Sequence, residues 1–292
     1  MFTSVLTTLT ILMILLLNTL MLFTLRRVNS IQPTTKIFLA SLTLSDLGSG
    51  LCWIPRLVEL FAVRWLLGNF LCAIQNIVAF IFNSLSMWSL LLLTIDRYIS
   101  ISHPLRYPSL MTVFRSKVMV CSTWTVTFII FILMYGTNDS ATVSQDGPIQ
   151  LCMALKDDWR VYLVAALFVI SLATIFILYA RISLAARNQA RRIAAENRAG
   201  NGQGGQRVST KSTTTIIIIT GTLTITWAPA VIINGISPKT QWGIYDKYMI
   251  IMLAQALFLS NSWLNVVIYY LRNKDLRQEL HRLLPCLTGA NV

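Results

Sequence analysis

Seven long apolar runs, separated by short polar stretches, dominate the pattern of the chain. Each run is near or above the roughly 20 residues that a helix needs to cross about 30 Å of hydrocarbon. Backbone groups in lipid must be satisfied within their own segment, which a helix achieves. The pattern predicts an all-α membrane protein, a seven-transmembrane helix bundle forming one domain over residues 1–292. We call these runs the first to seventh spans, at about 4–25, 36–61, 72–101, 117–135, 160–186, 212–236 and 246–271.

After the seventh span, leucines recur at helical spacing among basic residues. A helix with one apolar and one basic face lies in the plane of a membrane surface. We therefore predict a short amphipathic helix over about 273–285, in contact with lipid of the inner leaflet. Between the fifth and sixth spans, residues 199–206 are rich in glycine and glutamine, which predicts a flexible linker.

Composition and charge agree with a membrane protein. Hydrophobic residues make up 55% of the chain and charged residues 12%, whereas soluble domains are about a quarter charged. The net charge of +13 is unevenly distributed, because 18 of the 24 Lys and Arg fall on one side of the membrane. Basic residues concentrate on the cytoplasmic side, so we predict an extracellular N-terminus and a cytoplasmic C-terminus. No base-reading groups accompany the basic residues, which excludes nucleic acid as a partner.

Two sites carry charge deep inside the spans, where a charged side chain is costly and usually functional. Asp46 lies in the second span, and Asp96 and Arg97 lie near the inner end of the third. A carboxylate in hydrocarbon must be protonated, hydrated or paired, so Asp46 requires partners. A transporter is not expected, because it would line its path with several charges, and Asp46 alone is too few. An enzyme is not expected, because His103 and His281, the two histidines, have no nucleophile arranged around them.

Ordered motifs along nearly the whole chain resemble those of rhodopsin-like (class A) G-protein-coupled receptors. Asp96-Arg97-Tyr98 closes the third span and is followed by Pro104-Leu105. The other matches are Asn18, Leu42-Thr43-Leu44-Ser45-Asp46-Leu47, Trp65-Leu66-Leu67-Gly68 before Cys72, Trp124, Thr226-Trp227-Ala228-Pro229, and Asn261-Ser262-Trp263-Leu264-Asn265-Val266-Val267-Ile268-Tyr269. A single tripeptide is weak evidence, whereas the ordered set is specific. A weaker likeness to adenosine and amine receptors does not define the subgroup.

The resemblance implies a plasma-membrane receptor that transduces an extracellular small-molecule or peptide signal to heterotrimeric G proteins, with arrestin as a further partner. In the family, the arginine matching Arg97 is held by the neighbouring aspartate at rest and swings toward the G protein when the sixth helix moves outward. Proline kinks a helix, so ring movement of Trp227 becomes displacement of the inner end. The coupling and switch residues so implied are Asp96, Arg97, Tyr98, Tyr179, Trp227, Pro229, Asn265 and Tyr269.

The resemblance also implies an allosteric sodium ion, and no other cofactor. A hard cation takes oxygen ligands, which one carboxylate with hydroxyl and amide groups supplies. A hydrated polar network without an ion is the alternative. The residues that match the family's sodium pocket are Asp46, Ser86, Asn261, Ser262 and Asn265.

Ligands of the family bind in the outer half of the bundle. Amine receptors carry an aspartate where this chain has Ala79, and opsins carry a lysine where it has Leu259. A monoamine is disfavoured, because a buried ammonium needs a counterion. Retinal is disfavoured as well, because the lysine that binds it in opsins is absent. Arg56 and Glu59 either pair with each other or receive an acidic ligand. The ligand-binding candidates are Gln75, Asn76, Ala79, Asn83, Asn234 and Phe258, and they leave the ligand unidentified.

Three covalent features are expected at the ends of the spans or beyond them. Cys72 and Cys152 face the oxidising exterior, and a disulfide between them fits both that compartment and the resemblance. Asn138-Asp139-Ser140 is an N-glycosylation sequon. Cys286 is either palmitoylated or a free cytosolic thiol.

The chain departs from the family pattern at several positions. Val266 and Ser171 stand where the family usually has proline, which predicts straighter seventh and fifth helices. A non-signalling protein acting in trafficking or heteromer formation is therefore the alternative function. Ser209, Thr210 and Lys211 offer no acid at the inner start of the sixth span, so we expect basal activity rather than an ionic lock.

Overall fold

A computed structural model describes residues 2–135, 141–143, 152–154, 159–199, 221–233 and 243–288. These residues are almost entirely helical, with one short antiparallel pair of strands. The elements, in chain order, are α1 (Phe2–Arg27), α2 (Pro33–Cys52), α3 (Ile54–Ala62), α4 (Gly68–Ser102), α5 (Tyr107–Leu110), α6 (Val113–Tyr135), β1 (Ala141–Val143), β2 (Cys152–Ala154), α7 (Trp159–Ala199), α8 (Gly221–Ile233), α9 (Ile244–Arg272) and α10 (Lys274–Thr288).

Six helical stretches in this part of the chain are long and apolar enough to cross a membrane. They correspond to the first to fifth and the seventh spans. The sixth span is described only over α8, which is apolar but 13 residues long. The expected helical bundle with a C-terminal helix is confirmed. The extent of the single domain stays a prediction, because parts of three predicted loops lie outside the described residues.

The helices differ from the sequence prediction at three places. The second span is divided at Trp53, because Pro55 has no amide hydrogen to continue α2 and instead occupies the first turn of α3. The short helix α5 lies in a segment predicted to be a loop. α7 continues to Ala199, well past the predicted end at 186, because helix-favouring alanine and arginine residues follow its apolar part.

The third span is the centre of the bundle. α4 packs against α2, α6 and α7 and also contacts both strands. α1 packs against α2, α9 and α10. The main hydrophobic core joins these helices through fully buried side chains such as Phe38, Leu90 and Ile175. By contrast, α6 and α7 expose many large apolar side chains on their outer faces, as expected where lipid is the solvent.

A hairpin covers the N-terminal end of α4. Following the orientation predicted from the charge distribution, we call this end of the bundle the outer end and the opposite end the inner end. β1 and β2 pair antiparallel, with Val143 opposite Cys152. This small sheet was not expected from the sequence. It holds Cys152 over the outer end of the third span, in contact with Arg56, Glu59 and Cys72.

Gly48 gives a test of helix packing. A Cβ atom at Gly48 would lie 2.2 to 2.7 Å from the ring of Phe82, which packs edge-on against Trp124 and Phe128. We expect Gly48→Ala to lower the thermal unfolding midpoint in detergent, because overpacking costs about 1–3 kcal/mol and exceeds the gain in helix propensity of about 1 kcal/mol. Gly221→Ala is the control, because no described heavy atom lies within 4 Å of the added Cβ. Equal or raised stability of Gly48→Ala would contradict this packing.

Candidate functional site

A buried ion pair lies at the outer end of the second span. Arg56 donates to Glu59 at 2.5 Å, and both side chains are almost completely buried. Glu59 accepts the backbone N–H of Cys152 at 2.7 Å, and Arg56 donates to the carbonyl of Cys152 at 2.7 Å. The guanidinium also lies 5.9 Å from the ring centroids of Trp53 and Trp65, a favourable position for a cation. Of the two roles left open for Arg56, the structure therefore shows the ion pair.

The disulfide predicted between Cys72 and Cys152 is present. Asn76 lies beside it, donating to the Cys72 carbonyl at 2.9 Å and to the Cys152 sulfur at 3.2 Å. Asn76 also accepts from Arg56 at 3.3 Å. The second span, the third span and β2 are thus joined by one covalent bond and a buried polar cluster, which we call the outer clamp: Arg56, Glu59, Asn76 and the Cys72–Cys152 disulfide.

The other ligand-binding candidates lie on different faces of α4 and α9. Gln75 is buried, and its side-chain oxygen has no hydrogen-bond partner among the described residues. Asn83 accepts a hydrogen bond from Ser49 at 2.7 Å, which directs it toward the second span. Ala79 is partly buried. Asn234 and Asn138 lie outside the described residues, and Cys286 is placed only by its backbone in α10.

Trp227 is the centre of a group of three aromatic rings. Its ring lies 4.9 Å from Phe168 of α7 and 5.4 Å from Phe258 of α9, and Phe168 and Phe258 are 5.9 Å apart. Such tilted contacts between rings stabilise by more than burial alone. Pro229 follows two residues later in α8. The three rings, which we call the aromatic triad, connect the fifth, sixth and seventh spans at one level of the bundle.

Asp46 is fully buried and hydrogen-bonded to neighbouring spans. Ser86 donates to one carboxylate oxygen at 2.6 Å, and Asn265 donates to the other at 3.3 Å. Ser262 lies close to the same carboxylate. Asn261, one helical turn before Asn265 on the same face of α9, has a buried side-chain oxygen without a partner among the described residues. A side-chain oxygen without a described partner on the helix face that carries Asn265 is a suitable ligand for a cation. No group of three or more His, Cys, Asp or Glu able to hold a metal occurs in the described ranges.

A second buried carboxylate organises the inner end of the bundle. Asp96 accepts hydrogen bonds from Thr35 at 2.9 Å, from Tyr107 at 2.8 Å and from the guanidinium of Arg97 at 2.7 Å. Arg97 also donates to Thr35, and Thr34 is hydrogen-bonded to Tyr107 at 2.7 Å. Arg97 is therefore held at its neighbour and at the start of α2. We call this set the inner network.

Tyr107 donates a hydrogen bond from its hydroxyl to Asp96 in the inner network. It lies in α5, between the third and fourth spans. Burial raises the pKa of its hydroxyl, and the adjacent negative charge of Asp96 raises it further. The hydroxyl consequently remains protonated at physiological pH and donates its hydrogen bond to the carboxylate.

The remaining switch candidates surround the inner network without joining it. Tyr179 and Tyr269 pack in or against the main core, and neither is hydrogen-bonded to Arg97 among the contacts that the structure describes. Tyr98 packs against the same core and lies edge-on to His103. The geometry is thus that of an Arg97 held by Asp96.

Sequence reasoning did not identify several residues of the site. Thr35 and Tyr107 complete the shell of Asp96, and Phe168 completes the aromatic triad. The contact of Glu59 with Cys152 spans 93 residues. Tyr107 lies 11 residues after Asp96 along the chain, but the sequence alone carries no signal that the two side chains meet.

A comparison with protein families matches residues 17–269 to the seven-transmembrane receptors of the rhodopsin family. This match covers most of the chain and includes Asp46, the inner network and the aromatic triad. The chain belongs to the rhodopsin family of seven-transmembrane receptors. It is accordingly a multi-pass plasma-membrane receptor that signals through heterotrimeric G proteins, and not an enzyme.

Curated relatives include receptors for different kinds of ligand, judged by their names. The histamine H2 receptor of Cavia porcellus is 24% identical, over 89% of this chain and 73% of that receptor. The 5-hydroxytryptamine receptor 6 of Rattus norvegicus is 26% identical, over 88% of this chain and 65% of that receptor. The melanocortin receptor 4 of Danio rerio is 28% identical, over 70% of this chain and 57% of that receptor. These similarities leave the subgroup uncertain.

The outer clamp generates a test of stability. We expect Glu59→Ala to lower the free energy of unfolding in detergent by about 3 kcal/mol or more, because it leaves the buried Arg56 without a counterion. The matched control is Glu279→Ala, which removes the acid of an exposed pair with Arg282 and is expected to cost at most about 1 kcal/mol. Chemical denaturation of the two purified variants measures the difference. Similar losses in both would show that the buried pair has no special role.

Proposed function

We propose that the receptor senses an extracellular ligand in the outer half of the bundle and transmits the signal from the aromatic triad to Arg97. The orientation that fits the charge distribution has an extracellular N-terminus and a cytoplasmic C-terminus. The carrying observation is the inner network, in which a buried Asp96 with three donors holds an arginine next to the cytoplasmic end. Release of Arg97 exposes a cation to a G protein. Arrestin is a second cytoplasmic partner of the same open state, and α10 contacts inner-leaflet lipid.

The proposed ligand contacts Gln75 and the outer side of the aromatic triad. The buried side-chain oxygen of Gln75 has no partner among the described residues, and a buried acceptor without a partner favours a ligand that donates a hydrogen bond. Ala79 provides no carboxylate at the position where amine receptors carry one, and Glu59 is occupied by Arg56. These contacts support a ligand without an obligatory ammonium group, although two relatives are named for amines.

We further propose that Asp46 binds a sodium ion. Asp46 would provide the carboxylate, with Ser86, Asn261, Ser262 and Asn265 supplying the remaining oxygen atoms. Two observations support this assignment: the Asp46 carboxylate is fully buried, and the side-chain oxygen of Asn261 has no partner in the part of the chain that the structure describes. The ion would offset the buried negative charge and favour the resting state.

The alternative function expected from the two missing prolines is a non-signalling protein. At these positions the structure has two continuous helices. α9 runs unbroken through Val266, and α7 runs unbroken through Ser171, whose hydroxyl donates to the carbonyl of Leu167 at 2.7 Å. Proline at either position would remove a backbone hydrogen bond and weaken the helix. Any movement of Tyr269 during activation therefore starts from an uninterrupted α9.

Ligand-free signalling tests the inner network. Arg97→Ala is expected to abolish basal activation of a panel of G proteins in cells at matched surface expression. Tyr107→Phe removes one donor to Asp96 and is expected to raise basal activation by up to about fivefold, since a hydrogen bond is worth about 1 kcal/mol. Tyr162→Phe, at an exposed tyrosine of α7, is the control. If neither Arg97→Ala nor Tyr107→Phe differs from wild type, the proposed switch is wrong.

Sodium dependence tests the Asp46 site. Replacing choline chloride by sodium chloride at constant ionic strength should raise the thermal unfolding midpoint of the wild type, because a ligand that binds only the folded state stabilises it. Asp46→Asn should lose this response, and Asp275→Asn, at an exposed carboxylate, should retain it. A response of Asp46→Asn equal to that of wild type would exclude Asp46 as a sodium ligand.

A further inference from the structure

A groove opens toward the membrane between α6 and α7. Both helices pack against α4 but contact each other little, so α4 forms the floor of the groove. The cavity has a volume of about 70 Å³. Ile130 and Leu167 line it and are 43% and 42% exposed, which leaves its mouth open to the lipid-facing surface.

The groove lies deep in the hydrocarbon layer. Thr127 is eight residues before the outer end of α6, and Phe168 is nine residues after the start of α7. With a rise of 1.5 Å per residue, both lie about 12–14 Å below the outer helix ends. Water is scarce at this depth. The groove is continuous with the lipid-facing surface, so its occupant comes from the bilayer.

The lining of the groove is not purely apolar. The hydroxyl groups of Ser84, Thr127 and Ser171 line it, and all three residues are buried. Ser171 donates to its own helix. The side-chain hydroxyl groups of Ser84 and Thr127, which lie within helices, have no hydrogen-bond partner among the described residues. An unpaired hydroxyl in hydrocarbon is unfavourable, so an occupant that carries a polar group is favoured over a bare acyl chain.

We propose that this groove binds a membrane-dissolved amphiphile, namely a hydrocarbon chain that carries a hydroxyl group along its length. Its hydroxyl group would pair with Thr127 and Ser84, and its chain would leave through the mouth beside Ile130. The occupant contacts Phe168, which also lines the groove and lies 4.9 Å from Trp227. The proposal that the groove binds this amphiphile depends only on the lining of the groove. The proposal that binding changes signalling also depends on the proposed function.

The test is equilibrium binding to the full chain in phosphatidylcholine nanodiscs. The probe is radiolabelled methyl 12-hydroxyoctadecanoate, whose hydroxyl group reaches mid-leaflet depth, and the comparison ligand is methyl octadecanoate. We expect saturable binding with an affinity about three- to twentyfold higher for the hydroxylated ester, which corresponds to the strengths measured for hydrogen bonds between membrane helices. Thr127→Val should abolish that preference.

A matched pair of variants distinguishes the groove from the general lipid surface. Ile130→Trp fills the mouth and should abolish saturable binding. Ile129→Trp places the same ring on the neighbouring residue, which is 51% exposed and does not line the groove, and should leave binding unchanged. Equal affinity of wild type for the two esters, or saturable binding retained by Ile130→Trp, overturns the proposal. If Ile130→Trp fails to fold, Thr127→Val provides the test: loss of its preference for the hydroxylated ester supports the proposal, and a preference equal to that of wild type overturns it.

Basal G-protein activation, measured with the same two esters, distinguishes this inference from the proposed function. Selective binding of the hydroxylated ester with altered activation supports both. Selective binding without altered activation supports the groove and contradicts its connection to the triad.

Discussion

Lipid cannot solvate a polar group, and this constraint determines where the receptor places its charges. Three fully buried carboxylates in the described part of the spans find partners within the bundle. Glu59 has Arg56 and the Cys152 amide, and Asp96 has Arg97, Thr35 and Tyr107. Asp46 has only neutral donors, from Ser86 and Asn265. Because a carboxylate without a counterion is the least satisfied of the three, Asp46 is the position where a diffusible cation has most to contribute.

The outer and inner charge clusters are stabilised differently, and the difference fits signalling. The outer clamp combines a disulfide with a deeply buried ion pair, so the hairpin over α4 is fixed to the second and third spans. The inner network has no covalent bond, and the Arg97 side chain is 41% exposed. Exposed charges exchange their partners for water at small cost. A rigid outer end and a releasable inner cation are what a receptor needs to convert a ligand contact into a cytoplasmic change.

The sequence predicts the parts of the fold that depend on local pattern. Spans follow from hydropathy, and the disulfide follows from two cysteines at outer positions. The division of the second span at Trp53 has a local signal in Pro55, although an apolar run alone conceals it. Thr35, Tyr107 and Phe168 could not be assigned from the sequence, because their roles arise from contacts with Asp96 and Trp227 between different helices. Hydroxyl groups and phenylalanines are common in spans, and only packing shows which of them meet a charge or a switch residue.

The missing proline in the fifth span connects the aromatic triad to the membrane. Proline would free the carbonyl one turn earlier in the helix, whereas Ser171 keeps α7 regular and bonds the carbonyl of Leu167. A regular α7 holds Phe168 and Ser171 on neighbouring turns, where Phe168 contacts Trp227 and both residues line the groove. A bulge in α7 would change the direction of one of these side chains. The absence of proline is therefore compatible with signalling, because the same continuous helix places Phe168 both next to Trp227 and in the lining of the groove.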